Sequence, residues 1–174
     1  MYNMKRKIEN YLFVKVSGSE GVYNEAGDGV MCSIGCWLKH QNTSDYLYIT
    51  TAGHCYDYDE GSAYGFYDFA VIIVENENLD PQFIIRNDDA DQYRELIIIY
   101  DGLISSHYAH ICKSGFITHL TCGYVLGLDG VYYGIEENNN KVVELIITDL
   151  YGLLGDAGGS VFSFASSESL HSVV

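Results

Sequence analysis

Short runs of β-branched and aromatic residues alternate with turn residues along most of this chain, and no amphipathic helical period of useful length interrupts them. A chain patterned this way folds as short strands joined by turns, so the expected class is all-β. The expected strands cover residues 30–38, 46–51, 69–74, 95–100, 110–113, 123–128, 131–135, 142–148 and 160–164. Leu128-Asp129-Gly130-Val131 reads as a tight hairpin, because Asp-Gly accepts the positive φ angles of primed turns. The polar segment 136–141 reads as a longer hairpin loop. Segment 75–91 is acidic, rich in asparagine and holds the single proline, which marks it as the connection between two halves. At 174 residues there is room for one domain or for two small barrels sharing an interface.

Charge narrows the function classes. A formal net charge of −15 repels phosphate backbones and anionic lipid, so neither nucleic acid nor a membrane surface is an expected partner. No apolar run approaches the ~18 residues that span a bilayer. The N-terminal Met1-Tyr2-Asn3-Met4-Lys5-Arg6-Lys7 is basic, but charge breaks the stretch after it, so no secretory signal is read there.

Two segments carry the chemistry. Thr50-Thr51-Ala52-Gly53-His54-Cys55 places a histidine beside a cysteine at the end of an expected strand. About a hundred residues later, Gly155-Asp156-Ala157-Gly158-Gly159-Ser160 is a turn of small residues entering a strand, suited to close approach by a ligand. In this order they resemble the histidine motif and the Gly-Asp-Ser-Gly-Gly nucleophile motif of chymotrypsin-like serine proteases of the streptogrisin and α-lytic type. Gly21-Val22-Tyr23-Asn24 with Cys32-Ser33-Ile34-Gly35 resembles the start of the mature enzyme, and Tyr67-Asp68-Phe69-Ala70-Val71 the aspartate motif. Cys112-Lys113-Ser114-Gly115-Phe116-Ile117-Thr118 with Cys122-Gly123 resembles the Cys-Arg-Ser-Gly-x-x-Thr segment and its second cysteine.

The resemblance runs from about Gly18 to the C-terminus and implies a double β-barrel with the site between the barrels, here incomplete. It divides the chain into an N-terminal extension or pro-segment remnant at 1–17 and a peptidase region at 18–174. The first barrel would occupy about 18–80 and a partial second one about 90–174. It implies His54 as general base, Asp68 as its orienting carboxylate and the backbone N–H groups of Gly155 and Ala157 as oxyanion donors. Asp156 would be the buried carboxylate that holds the turn, and Tyr151 the base of the specificity pocket. The implied activity is peptide-bond hydrolysis by a monomer without a cofactor, acting on protein or peptide or meeting an inhibitor, in an exported protein.

Three departures qualify that activity. The nucleophile position holds Ala157, which has no hydroxyl, so acyl-enzyme chemistry is not expected. The spacing from His54 to Asp68 is shorter than the family's, which puts their contact in question. Only 17 residues follow Ala157, where the family continues with strands that wall the pocket, so the chain is expected to stop inside its second barrel. The expected protein is therefore an inactive endopeptidase homologue, the alternative being a non-catalytic protein that keeps the cleft for a peptide or inhibitor.

Among the five cysteines, Cys112 and Cys122 flank a turn-like segment and suit a disulfide, which the resemblance also implies. It pairs Cys55 with Cys32 and leaves Cys36 as a free thiol, expected to behave as a small buried hydrophobe. The competing arrangement is a zinc site of Cys32, Cys36, His40 and Cys55, at a spacing that matches no standard ribbon or finger. His40, His107, His110, His119 and His171 read as surface or turn residues. Asn42-Thr43-Ser44 is a glycosylation sequon. The acidic clusters at 136–140 and 88–91 read as solvated loop charge in preference to a cation site.

Overall fold

The computed structural model describes residues 14–23, 31–41, 46–55, 68–75, 78–91, 93–133, 141–165 and 171–173, with backbone alone for Lys141 and 171–173. The sequon at 42–44 and the loop at 134–140 lie outside them. The described strands are β1 (Val14–Gly18), β2 (Gly21–Tyr23), β3 (Met31–Ser33), β4 (Trp37–Lys39), β5 (Leu47–Thr51), β6 (Ala70–Val74) and β7 (Leu79–Arg86). After them come β8 (Glu95–Tyr100), β9 (His110–Gly115), β10 (His119–Tyr133), β11 (Lys141–Thr148), β12 (Ser160–Phe164) and β13 (His171–Val173). A single 3-10 turn, Gly53–Cys55, follows β5. No helix among the described residues is long and apolar enough to cross a membrane.

Eight strands form one sheet in the order β1-β7-β8-β13-β12-β9-β10-β11. β4, β5 and β6 form a three-stranded antiparallel sheet, and β2 pairs with β3. One cluster buries Ile34, Trp37 and Ile49 against Val16, Val22, Leu47, Ile72 and Val74. The Trp37 indole N–H, which would be orphaned there, donates to Val16 O at 2.9 Å. A second cluster buries Ile85, Leu96, Cys112 and Phe162, with Phe164 edge-on to Phe162 at 5.6 Å. Cys32, Ala52 and Cys55 make a third, smaller cluster, and Ala157 packs against it.

Several expectations change. The expected strand 30–38 is two strands, because Gly35 N–H donates to Thr50 O and Cys36 N–H to Thr50 Oγ1, which turns the chain between β3 and β4. Segment 75–91 is no bare connection, since the eight residues of β7 lie within it. Pro81 is tolerated because the β7–β8 ladder runs through Ile84–Arg86, leaving Pro81 opposite Val16 of β1 alone. Asp129-Gly130 is not a hairpin turn. β10 runs straight through it as a single strand that pairs first with β9 and then with β11. There the four residues Gly127 to Gly130 of β10 face the three residues Leu145 to Ile147 of β11, so Asp129, at φ 57°, absorbs the extra residue as a bulge. β1 begins four residues before Gly18 and lies in the large sheet.

Candidate active site

β5 and β6 pair antiparallel, and the last rung of their ladder joins Thr51 to Ala70. Beyond that rung the chain turns into Gly53–Cys55 on one side and leaves Asp68 on the other. His54 and Asp68 therefore face each other, with the His54 ring Nδ1 2.7 Å from Asp68 Oδ2 and the His54 backbone N–H 2.8 Å from Asp68 Oδ1. Asp68 does reach His54. The short spacing suffices because β6 returns directly alongside β5, so no further strand is needed to bring the carboxylate round.

An ionised carboxylate only accepts hydrogen bonds, so the bond assigns the His54 proton to Nδ1 and leaves Nε2 as the basic nitrogen. The Asp68 hydrogen bond raises the His54 pKa above its ordinary 6.5, outweighing burial, and the Asp68 charge adds to it. In return the His54 ring holds the Asp68 carboxyl below its ordinary 3.8, against burial that raises it and with help from the His54 N–H. Both side chains are about half exposed, at 54% and 43%.

The loop 153–159 is held from inside by Asp156. Its Oδ1 accepts from Ile117 N–H at 3.0 Å and Thr118 N–H at 2.9 Å. Its Oδ2 accepts from Leu153 N–H at 2.9 Å, Thr118 Oγ1 at 2.5 Å and Lys113 Nζ at 3.0 Å. Burial pushes this carboxyl up, but the bonds from Thr118, Leu153 and Lys113 more than offset it and leave the group well below the usual carboxylate range. Asp156 is buried, and these bonds hold the loop around it. Lys113 and Thr118 lie in the segment that begins at Cys112, and the signal for their role is that a buried carboxylate demands a cation and donors.

Ser33 clasps the same loop from β3. Its Oγ donates to Gly155 O at 2.7 Å and accepts from Phe116 N–H at 2.8 Å, while its N–H donates to Ala157 O at 2.8 Å. Thr51 Oγ1 donates to Ser33 O at 2.9 Å, which ties the clasp to β5. Gly155 and Gly158 take φ of +101° and +85°. Ala157 packs on the cluster of Cys32, Ala52 and Cys55, which includes the neighbour of His54 in sequence. Among the described residues no protein acceptor takes the N–H of Gly155 or of Ala157.

Cys32 is bonded to Cys55 and Cys112 to Cys122, while Cys36 is free. The first bond removes two ligands from the alternative zinc arrangement. Cys36 is half-buried, with Sγ 3.5 Å from Thr50 Oγ1. Tyr151 is 63% exposed, and its carbonyl accepts from Thr121 Oγ1 at 2.8 Å. Two carboxylates of the 88–91 cluster are paired, Asp88 with Arg86 and Asp89 with His119.

No protein-family model matches the sequence, and no curated protein is significantly similar to it. Solved structures are similar. Protease A of Thermobifida fusca superposes with a TM-score of 0.66 at 16% identity, over 86% of this chain and 78% of that one. The Nocardiopsis protease gives 0.67 at 19% identity, over 88% and 86%. The chymotrypsin of Cellulomonas bogoriensis gives 0.64 at 20% identity, over 90% and 86%. This is the chymotrypsin-like serine protease fold. The all-β class and the double β-barrel expected from the sequence stand with it.

Proposed function

We propose that this chain is a serine-endopeptidase homologue that does not cleave peptides and keeps its cleft for binding them. The observation that carries the reading is the coexistence of the 2.7 Å His54–Asp68 pair with alanine at position 157. His54 would serve as general base and Asp68 as its orienter, with Gly155 and Ala157 N–H as oxyanion donors and Tyr151 near the specificity pocket. With a methyl at the nucleophile position no acyl-enzyme forms. The cleft would lie between a first barrel of about 18–80 and a second of about 90–174; the Ser33 bond to Gly155 O, with Thr51 bonded to Ser33, is the contact that would join the two. The two disulfides favour an oxidising, extracellular setting. The role proposed calls for no cofactor and no second subunit.

The test is hydrolysis of labelled casein together with labelling by a serine-directed phosphonate. The chain is expected to do neither, and Ala157→Ser to react with the phosphonate in a manner that His54→Ala abolishes. Casein turnover by the unaltered chain, blocked by the phosphonate, overturns the reading.

A further inference from the structure

The pairing of β9 with β10 gathers a histidine and two sulfurs on one ladder, away from His54. In its antiparallel register Cys112 stands opposite Cys122 and His110 opposite Tyr124, with the Ile111–Gly123 rung between them. Side chains alternate along a strand, so His110 and Cys112 share a face. The ligating atoms of His110, Cys112 and Cys122 all lie within 4.8 Å of one another. Tyr124 meets the His110 ring edge-on at 5.4 Å, and its own N–H donates to Asp149 Oδ1 at 2.5 Å, so the aromatic neighbour that flanks the imidazole is itself tied down.

While the Cys112–Cys122 bond is closed, its sulfurs are poor ligands, because a metal takes the thiolate. Opened, the pair offers two thiolates beside an imidazole, the donor set of a three-ligand zinc site with a fourth position left for water. The ladder suits that geometry. Two sulfurs bound to one tetrahedral zinc lie about 3.8 Å apart, given Zn–S bonds of about 2.3 Å. Directly opposed ladder residues keep their Cβ atoms about 4.5–5.5 Å apart, so the sulfurs reach that separation by side-chain rotation alone. His110 and Cys122 are exposed, which gives the ion a way in.

Access distinguishes this disulfide from the other. A thiolate that reduces a disulfide has to touch a sulfur, and Cys122 is exposed, whereas Cys32 and Cys55 are 1% and 6% exposed. His54 also lies near Cys32 and Cys55, but its Nδ1 is taken by Asp68. The Cys112–Cys122 link spans 10 positions against 23 for Cys32–Cys55, and a shorter loop contributes less stability. With the bond open, β9 is still held between β10 and β12, and β10 is still paired with β11.

From this we infer that Cys112–Cys122 is a reducible disulfide whose reduced form, together with His110, binds zinc. The reductant is a dithiol. One of its thiolates attacks Cys122 Sγ, the S–S bond breaks and Cys112 leaves with the bonding pair and takes up a proton. The second dithiol sulfur then closes on the first and releases Cys122, so two electrons pass to the protein and the dithiol ends as a disulfide. Zinc displaces the two thiol protons to water. The inference is independent of the peptide-binding reading of the cleft.

The experiment uses the whole chain. It is treated with limiting dithiothreitol, quenched with acid, alkylated in denaturant and mapped. Cys112 and Cys122 are expected to be labelled while Cys32–Cys55 stays linked; opening of Cys32–Cys55 as fast or faster overturns the selective reduction. After anaerobic removal of the dithiol, the reduced chain is expected to retain one zinc ion through gel filtration and, with cobalt in its place, to show a thiolate charge-transfer band. The oxidised chain, which still carries the Cys36 thiol, is expected to do neither. Zinc retained by both forms, or by neither, overturns the site. Circular dichroism of the reduced chain before zinc is added is expected to keep the strand signal, and its loss overturns a site preformed by the ladder. His110→Ala is expected to weaken zinc binding at least about ten-fold, the least that loss of even a supporting group costs. Unchanged affinity in that variant overturns the three-ligand site.

Discussion

Asp68 holds His54 at two points, accepting from the ring at 2.7 Å and from the backbone N–H at 2.8 Å. The ring bond sets the tautomer, and the backbone bond fixes the 3-10 turn from which the ring projects. One carboxylate thus determines both where the imidazole is and which nitrogen is basic.

The pair predicts a pH window. The raised His54 pKa contributes stability that is present below its unfolded value near 6.5 and lost as pH rises through the folded value. The lowered Asp68 pKa contributes stability present above its unfolded value near 3.8 and lost as pH falls through the folded value. Their joint contribution is therefore greatest between about pH 4 and 6.5, and solvent screening of two half-exposed groups holds it below about 1 kcal/mol. Proton NMR of the His54 ring should show titration above 6.5 in the unaltered chain and at a lower pH in Asp68→Asn. An unchanged titration would show that the pair does not persist in solution.

Asp156→Asn removes the charge that Lys113 faces at 3.0 Å, where the side chains are 5% and 13% exposed. Breaking a buried pair from one side leaves the other charge uncompensated, at a cost of about 3 kcal/mol or more. Urea denaturation should show the loss, with Lys113→Met added to Asp156→Asn recovering part of it. A loss under about 1 kcal/mol would mean that Lys113 escapes to solvent.

Gly158→Ala tests the clasp. At φ +85° an added methyl would sit 2.6 Å from both Ala52 N and Ser33 O, and it would also strike Thr51 Oγ1. These are largely backbone atoms and have nowhere to move, so a loss of at least about 2 kcal/mol is expected by thermal melting. A neutral substitution would show that the loop adopts another shape.

Alkylation in denaturant without reductant should modify one cysteine per chain, Cys36, and peptide mapping should recover the Cys32–Cys55 and Cys112–Cys122 links. Cys55→Ser removes a bond joining β3 to the turn that holds His54, and a cost of about 2–5 kcal/mol is expected.

The elements that were legible in the sequence are those whose residue types have a local reason. Strands such as β5 and β8 announce themselves by β-branched runs, and the disulfide pairs, with the His54, Asp68 and Asp156 positions, follow from ordered motifs. Other features depend on partners distant in the chain. β7 contains Pro81, which reads as a breaker until β1 is known to lie on its other side. Asp129-Gly130 has the chemistry of a turn, and only pairing with both β9 and β11 makes it a bulge. The contact of His54 with Asp68 is hard to read from spacing, because sequence distance does not report that β6 pairs directly with β5. Ser33 lies in the segment Cys32-Ser33-Ile34-Gly35, but nothing there marks the serine itself as the residue that clasps a loop 122 positions away.

The Ser33 bond to Gly155 O spans 122 positions of sequence. Closing so long a loop costs chain entropy before any contact repays it, and topologies dominated by such pairings fold slowly. The loop 153–159 has local turn bonds, Asp156 N–H to Leu153 O and Gly159 N–H to Asp156 O, but its clasp to β3 waits on that long closure. During refolding, strand signals should recover first, and the loop should take its final shape late, when β3 and the entry to β12 have found each other.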